Sequence, residues 1–350
     1  MFNLLINKEK SIIIFLMLCS SLFGFRIVNE YLKFDDRSKY ESESYSRALT
    51  NGSEIQIFHS NKFNIKANGS NTTVFVSDSF GEGAKCGNAG NISGCLSKLE
   101  PKKNIINLSL SGKGPAFYLK QIKNYFYLQK EENQNYLGSS VIVSIYSNDI
   151  VLDPQLCKFY DSNKSKLFNK LDSYQIAQLS KRCDHLLSLT PSEYKKEMKY
   201  VLPFSKAIQS ILGNYSYLYL REMIAQISFK VFNNISIGRA GYIPLWKDND
   251  SVEVILIAEV LKEMVRTCQK YNCNLTIATF PNVENLYPNS KVRLSLLEFA
   301  NFMQTEYSIK IHDGYEPFIN RGIRKATYSL TDIHSNCEGY NIYANWLVDL

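Results

Sequence analysis

Apolar and polar positions along the chain repeat with two periods, one typical of strands and one typical of helices. Apolar runs with the character of buried strands stand at 73–76, 104–110, 140–146, 274–280 and 308–312. Helical spacing of apolar residues follows the second run at 116–128 and recurs at 252–271 and 291–306. Strands that alternate with helices predict an α/β fold with a mainly parallel sheet, whose ligands bind at the carboxyl ends of the strands.

The first 28 residues differ from this pattern. Lys8 and Lys10 precede an apolar stretch from Ser11 to Phe25, which predicts an N-terminal signal anchor over residues 1–28. Because the basic residues come first, the positive-inside rule places the rest of the chain outside the cytoplasm. We expect a single-pass protein of the cell membrane with an extracytoplasmic globular part, or a secreted or periplasmic protein if the segment is cleaved.

Composition divides the remaining chain into four parts. Residues 29–65 are polar and predict a stalk or irregular lead-in. Residues 66–150 hold the first three strand signals and form the first part of the core. Residues 151–250 are mostly helical in pattern, which predicts a helical insertion. The strand–helix alternation resumes in residues 251–350, the second part of the core.

Charge and length limit the possible functions. The chain has 350 residues, 45% of them hydrophobic, which is enough to bury a sizeable core. Its 40 basic and 33 acidic residues give a net charge of +7 but form no long block of like charge. Nucleic-acid binding is therefore not expected.

Seven cysteines lie beyond the N-terminal segment. An exported location permits disulfides, and an odd count leaves one thiol unpaired. Nearness in sequence suggests three pairs, although the connectivity itself does not follow from the sequence: Cys86 with Cys95, Cys157 with Cys183, and Cys268 with Cys273. Cys337 is the seventh. No C-x-x-C motif or histidine cluster accompanies them, so neither a metal site nor a cofactor is expected.

Four short polar motifs carry the candidate chemistry. The first three end the first three predicted strands, and the fourth stands near the C-terminus. They are Ser77-Asp78-Ser79-Phe80-Gly81, Asn107-Leu108-Ser109-Leu110-Ser111-Gly112, Tyr146-Ser147-Asn148-Asp149 and Asp332-Ile333-His334. In type and order they resemble the four blocks of the SGNH (GDSL-like) hydrolases.

The resemblance implies a three-layer, flavodoxin-like α/β fold and a residue-by-residue assignment of roles. Ser79 falls on the family's nucleophile, and Asp332 and His334 fall on its acid–base pair. The oxyanion hole would consist of the backbone N–H of Ser79, the backbone N–H of Gly112 and the side-chain amide of Asn148. The predicted insertion lies outside the resemblance.

The sequence departs from the family's commonest pattern at three points. Ser77 and Tyr146 stand where glycines are usual, but neither change removes a catalytic group. The last motif is D-x-H instead of D-x-x-H, a spacing that resembles the alginate-type acetyltransferase branch. This spacing favours acyl chemistry on a polysaccharide.

The residue types suit that chemistry. A serine hydroxyl becomes a good nucleophile only when a base removes its proton, and His334 has a carboxylate two residues away that could orient its ring. Each motif also has a purely structural interpretation. Ser79 could cap a helix, Asn148 and Asp149 could form a turn, and Asp332 with His334 could cap the last helix. Their joint occurrence at predicted strand ends favours the catalytic interpretation.

The sequence therefore predicts an enzyme: an extracytoplasmic serine esterase or O-acyltransferase that acts on acyl esters, most plausibly acetyl esters, of a glycan. One alternative is a lipid or small-ester hydrolase, with the insertion as a lid. Another is a degenerate SGNH scaffold that binds glycan without turnover. The motifs fit water and a sugar hydroxyl equally well as the acyl acceptor.

Overall fold

The structure is a computed structural model. It describes residues 44–48, 54–58, 71–82, 86, 90–131, 138–146, 149, 152–167, 170–190, 192–193, 251–281, 291–318 and 334–350. The predicted signal anchor, Asn148, Asp332 and most of the predicted insertion after residue 193 lie outside these residues. No helix among the described residues is long and apolar enough to cross a membrane.

A seven-stranded sheet organises the fold. Its strands, in chain order, are β1 (Ser44–Ala48), β2 (Glu54–Phe58), β3 (Thr72–Val76), β4 (Asn104–Asn107), β5 (Ser140–Ile145), β6 (Asn274–Thr279) and β7 (Ile311–His312). They lie in the order β1-β2-β4-β3-β5-β6-β7. Strands β3 to β7 pair in parallel. Their order is the flavodoxin-like 2-1-3-4-5 arrangement, which confirms the predicted fold class.

Helices surround the sheet. They are α1 (Ser79–Glu82), α2 (Ile92–Leu99), α3 (Pro115–Glu131), α4 (Pro154–Leu167), α5 (Ser173–Ser188), α6 (Val252–Lys270), α7 (Lys291–Tyr307) and α8 (Cys337–Val348). The three helices predicted at 116–128, 252–271 and 291–306 correspond to α3, α6 and α7. Their bounds agree within three residues because long amphipathic repeats are the clearest helical signal.

Strand alternation divides the core into two hydrophobic clusters. Val74 and Val76 of β3 belong to a large cluster, rich in aliphatic side chains, that packs against α3 and α6 and that we call the aliphatic face. Phe75, between them, belongs to a smaller cluster that packs against α2 and α8 and that we call the aromatic face. Because successive side chains of a strand point to opposite sides, β3 contributes to both clusters and is fully buried.

The segment predicted as an irregular lead-in, residues 29–65, contains strand. β1 and β2 pair antiparallel, and β2 then joins the main sheet at the register pair Phe58↔Asn107. The strand signal here is short: Glu54-Ile55-Gln56-Ile57 alternates with the period of a half-buried strand. The polar composition of the rest of the segment obscures it.

Helices α4 and α5 lie within residues 151–250, for which the sequence predicted a helical insertion. The disulfide Cys157–Cys183 joins them. The Asp172 carboxylate caps α5 by accepting a hydrogen bond from the Gln175 N–H at 2.7 Å, and the Gln175 side chain accepts one from the Asp172 N–H in return.

The disulfide pattern corrects one suggested pair. Cys157–Cys183 and Cys268–Cys273 are bonded as their closeness in sequence suggested. Cys86, however, pairs with Cys337, which is 251 residues away, and leaves the buried Cys95 with a free thiol. The Cys86–Cys95 suggestion was wrong because packing of α8 against α2 brings the C-terminal segment to Cys86, a contact that sequence distance does not reveal.

Candidate active site

Ser79 lies at the carboxyl end of the central strand β3. The turn that follows the strand is held by Asp78, whose carboxylate accepts a hydrogen bond from the Phe80 N–H at 3.0 Å. The Asp78 carbonyl accepts two more, from the Gly81 and Glu82 N–H groups at 3.1 and 3.2 Å. These bonds make Ser79 the first residue of α1 and leave its hydroxyl half-buried at the sheet edge.

Gly81 allows α1 to pack closely against the sheet. A Cβ at this position would lie 2.6 Å from the Ser77 Cβ and 2.8 Å from the Phe75 ring, and it would overlap the Ser109 hydroxyl. Any larger side chain would therefore push α1, and Ser79 with it, away from the strand.

His334 comes to Ser79 from the other end of the chain. Its Nε2 atom lies 2.8 Å from the Ser79 Oγ, within hydrogen-bond distance, although the two residues are 255 positions apart. The imidazole packs against the Phe80 ring with 4.6 Å between centroids. The geometry is that of a serine nucleophile and its general base.

Helix α8 begins three residues after His334, so whatever holds this helix also holds the imidazole. Asn336 caps α8 by accepting a hydrogen bond from the Gly339 N–H at 2.9 Å. The disulfide Cys86–Cys337 ties the first residue of α8 to the segment that follows α1. His334 and Ser79 are thus each followed, within a few residues, by one half of the same covalent bond.

Tyr343 secures α8 to β5 and β6, which are adjacent strands of the sheet. The Ser144 hydroxyl of β5 lies 2.9 Å from the Tyr343 Oη, and the Tyr343 hydroxyl donates to the Thr279 carbonyl of β6 at 3.0 Å. The Tyr343 ring also packs edge-on against Phe280, with 4.6 Å between centroids. These buried contacts fix the orientation of α8 relative to the sheet.

Gly112 lies in the loop beside α1. The loop continues the parallel ladder past β4, since the Leu110 N–H donates to the Ser77 carbonyl at 3.1 Å. The Ser111 N–H then donates to the Glu82 carboxylate at 2.9 Å. Gly112 has a φ of +69°, which favours glycine, and no atom lies within 4 Å of where its Cβ would be. The loop is therefore open at the position assigned to the second oxyanion donor.

Two hydrogen bonds join the first and last residues of the third motif, which follows β5. The Asp149 N–H donates to the Tyr146 carbonyl at 3.0 Å, and the Asp149 carboxylate accepts the Tyr146 N–H at 2.9 Å. Asn148 itself lies outside the described residues, as does Asp332. Their assigned roles stay predictions, and the nearest described residues are Tyr146 and Asp149 on either side of Asn148 and His334 after Asp332.

Tyr118 links the second and third motifs. The Tyr118 hydroxyl lies 2.9 Å from the Lys113 carbonyl and 3.0 Å from the Asp149 carboxyl group, and it can donate to either acceptor. Burial and the nearby Asp78 raise the pKa of Asp149 well above its usual range, although the hydrogen bonds from Tyr146 and Tyr118 lower it.

Asn107 is a buried side chain that holds the second motif against the first. Its amide nitrogen donates to the Gly81 carbonyl at 2.9 Å and to the Ser93 hydroxyl at 3.1 Å. Its amide oxygen accepts the Ser109 N–H at 3.0 Å. Asn107 therefore connects α1, α2 and the loop that leads to Gly112.

Ser77 and Tyr146, which stand where the resembled motifs usually have glycine, pack into their immediate surroundings. Ser77 is fully buried and Tyr146 almost so, with the Tyr146 ring packed 4.1 Å from the Phe80 ring, centroid to centroid. The non-glycine residues with positive φ in the described part of the chain are Asn272 and Ser308, so neither Ser77 nor Tyr146 needs glycine's conformational freedom. Tyr146 instead adds a ring to the cluster that supports His334.

The structure thus brings Ser79, His334 and the Gly112 loop to one edge of the sheet. Within the described residues, no group of three or more His, Cys, Asp or Glu side chains is arranged to hold a metal. The motifs alone did not reveal the supporting roles of Phe80, Asn107, Tyr118 and Asp149. Phe80, Asn107 and Asp149 do stand inside three of the motifs, but Tyr118 lies in the following helix, where no sequence signal separates it from ordinary core.

Comparison with models of protein families finds no match, and comparison with curated proteins finds none either. Among solved structures, the chain is similar to a member of the lipolytic protein G-D-S-L family from Veillonella parvula DSM 2008. The similarity covers 80% of this chain and 97% of that chain, with 10% sequence identity and a TM-score of 0.41. Because the two chains superpose only loosely, the functional conclusion depends on the geometry of this chain's own site.

Proposed function

We propose that the protein is an SGNH-type serine esterase or O-acyltransferase, with Ser79 as nucleophile and His334 as general base. The observation that carries this proposal is the 2.8 Å separation between the His334 Nε2 and the Ser79 Oγ. Two residues so distant in sequence meet at the carboxyl edge of a flavodoxin-like sheet, where ligands of such sheets bind.

The reaction follows from the positions of these groups. As the Ser79 oxygen attacks the ester carbonyl, its proton passes to His334 Nε2, and the carbonyl oxygen becomes an oxyanion. The Ser79 and Gly112 N–H groups and the Asn148 amide would donate to that oxyanion, and loss of one such donor typically costs about 3–4 kcal/mol of transition-state stabilisation. Collapse breaks the ester C–O bond, and His334 returns the proton to the leaving alcohol.

The acyl group is then on Ser79, and a second acceptor removes it by the reverse sequence. His334 takes a proton from water or from a sugar hydroxyl, which attacks the acyl carbonyl and releases Ser79. In this proposal Asp332 orients the imidazole for both steps, as a carboxylate partner does in other serine enzymes.

A glycan ester outside the cytoplasm is the proposed substrate. The D-x-H spacing of the last motif supports the polysaccharide assignment, through its resemblance to the alginate-type branch. The three disulfides support the location, since disulfides persist mainly in oxidising compartments. The N-terminal segment would then hold the enzyme at the membrane.

The test compares ester cleavage by the wild-type protein with cleavage by Ser79→Ala and His334→Ala, on a short acetyl ester and on an acetylated oligosaccharide. Each substitution is expected to lower kcat by about 10⁴- to 10⁶-fold. Ser188→Ala, which removes an exposed hydroxyl from α5, is the matched control and should leave kcat unchanged. A sugar acceptor added to the assay would separate transfer from hydrolysis.

Activity that survives in Ser79→Ala would refute the serine mechanism. Cleavage of the short ester without cleavage of the oligosaccharide would favour a lipid or small-ester hydrolase. Binding of the oligosaccharide by a folded protein that cleaves neither substrate would support the non-catalytic glycan-binding scaffold instead.

A further inference from the structure

A long groove lies on the outer surface of the helices that cover the aliphatic face. One hollow, of about 400 Å³, lies between α3 and α4, and a second, of about 410 Å³, lies between α3 and α6. Lys123, Asn124 and Glu263 line both hollows, so the two adjoin each other along α3. Neither hollow contains a residue of the proposed active site.

The groove begins at the edge of the sheet where the proposed active site lies, and it leads away from that edge. Its first end is marked by Ala116, one residue into α3, and α3 starts three residues after Gly112. Its other end is marked by Lys270 and Tyr271, which lie where α6 turns into the amino end of β6. Along α3, the eleven helical steps from Ala116 to Tyr127 correspond to about 16 Å. The groove therefore crosses the domain from the catalytic edge to the opposite edge.

The lining of the groove is strongly basic. Five cationic side chains and one carboxylate, that of Glu263, line the two hollows. Two of the cations contact this carboxylate, Lys123 at 2.9 Å and Arg266 at 3.5 Å. The other three cations are Lys120, Lys158 and Lys270, all exposed. Such an excess of like charge along a concave surface attracts a polyanion and falls in strength as salt is added.

Amide groups and aromatic rings lie between the cations. Asn124, Gln155 and Asn163 place amides in the lining, and the Asn163 amide also donates to the Phe159 carbonyl at 2.9 Å. Amides are groups that can hydrogen-bond to hydroxyl groups. The rings of Phe159 and Tyr271 add flat apolar surface, and Tyr271 is stacked on Phe126 with 4.5 Å between centroids. A lining of cationic side chains, amides and aromatic rings suits a ligand that has hydroxyl-bearing rings and regularly placed anionic groups.

We infer that this groove binds a linear anionic glycan, and that it holds the stretch of polymer beyond the acyl-bearing sugar at Ser79. This inference rests on the proposed function and adds to it the charge and the length of the substrate. The concave shape favours a single chain over a flat lipid surface, because a membrane could not reach side chains such as Asn124 at the base of the groove.

The test measures binding to the full-length Ser79→Ala protein, so that turnover is not needed. The probes are a polyuronate oligosaccharide, a phosphodiester-linked oligosaccharide and a neutral oligosaccharide of the same length. Lys120→Glu combined with Lys158→Glu should weaken binding of the anionic probes at least ten-fold. Lys98→Glu combined with Lys181→Glu, which changes the charge equally on exposed residues of α2 and α5, should change it less than two-fold.

The carboxylate and phosphodiester probes decide which anionic group the groove prefers. Equal binding of the neutral probe, or unchanged binding in the groove variant, would overturn the inference. So would binding of anionic phospholipid vesicles that depends on Lys120 and Lys158 without any binding of glycan. Cleavage of a short ester by the wild-type protein in those cases would leave the proposed function intact.

Discussion

The two faces of the sheet differ in what their side chains do. On the aliphatic face, Val74, Val76 and their neighbours pack against the long helices α3 and α6. On the aromatic face, Phe80 contacts the His334 ring and Phe280 contacts Tyr343 of α8. One face supplies most of the buried apolar surface, and the other positions the imidazole of His334 next to Ser79.

The difference shows how the residues of a site at the edge of a sheet are held in fixed positions relative to one another. Aliphatic side chains tolerate exchange among themselves if the volume is kept. A ring that contacts an imidazole on one side and other rings on the opposite side has a defined orientation. The aromatic face is also crossed by the Cys86–Cys337 disulfide, which makes the link between Ser79 and His334 partly covalent.

The largest effect is expected when that covalent link is removed. The disulfide closes a loop of 251 residues, and chain entropy alone gives such a loop about 5 kcal/mol of stabilisation. Cys86→Ser combined with Cys337→Ser should therefore lower the free energy of unfolding in urea by up to about that amount, and should lower kcat as well. The matched control, Cys268→Ser with Cys273→Ser, opens a loop of only five residues and should cost about 2 kcal/mol with kcat unchanged. Equal losses of kcat in both pairs would contradict the comparison.

The second effect concerns Asp149, which joins Tyr118 of the aliphatic face to Tyr146 of the aromatic face. The folded-state pKa of Asp149 is raised. The contribution of Asp149 to the stability of the wild-type protein is therefore fully present below the unfolded pKa of about 3.9, and it is lost as pH rises through the folded pKa. Asp149→Asn keeps a donor for Tyr118 and an acceptor for the Tyr146 N–H but does not titrate.

Asp149→Asn should therefore gain stability relative to the wild type by about 1.4 kcal/mol for each pH unit above 4, until the folded pKa is reached. Urea unfolding between pH 3.5 and pH 8 measures this difference. A variant that is less stable than the wild type at pH 7, with a gap that widens as pH rises, would mean that Asp149 is ionised in the folded protein.

The smallest effect is expected from two matched substitutions, one on each face of the sheet, which compare the faces directly. Phe80 and Phe126 are both fully buried and both packed against another ring, Phe80 on the aromatic face and Phe126 on the aliphatic face. Leucine at either position should cost about 1 kcal/mol of stability. Only Phe80→Leu should also lower kcat, by about ten-fold, because it removes the ring against which His334 packs. Equal kcat values in the two variants would show that the Phe80 ring does not position His334.

The fold was largely predictable because its main signals are local. Parallel strands buried on both faces appear as continuous apolar runs, and the helices between them keep the 3.6-residue period. β1 and β2 were missed because their segment is polar overall and only the short alternation at Glu54–Phe58 marks a strand. Strand β4 is shorter than predicted, since it ends at Asn107, although Leu108 and Leu110 still donate to β3 and to the residue after it.

The site was predictable to the extent that its chemistry resides in residue types. A serine after a buried strand and a histidine near the C-terminus are visible in the sequence, and the structure places them 2.8 Å apart. Tyr118 was not predictable as a partner of Asp149, because its hydroxyl matters only where two loops converge on it. The Cys86–Cys337 bond was not predictable either, since many pairings of seven cysteines fit the same sequence.

The sequence by itself determined the alternation of strands and helices, the order of the four motifs and the chemical groups available at Ser79, Gly112 and His334. These follow from short-range periodicity and from residue identity. The tertiary structure alone decided which groups meet: the imidazole and the hydroxyl, the cysteines 251 residues apart, and the Asp149 carboxyl group and the Tyr118 hydroxyl. Such contacts depend on burial and on distances across the sheet, which short-range sequence patterns do not encode.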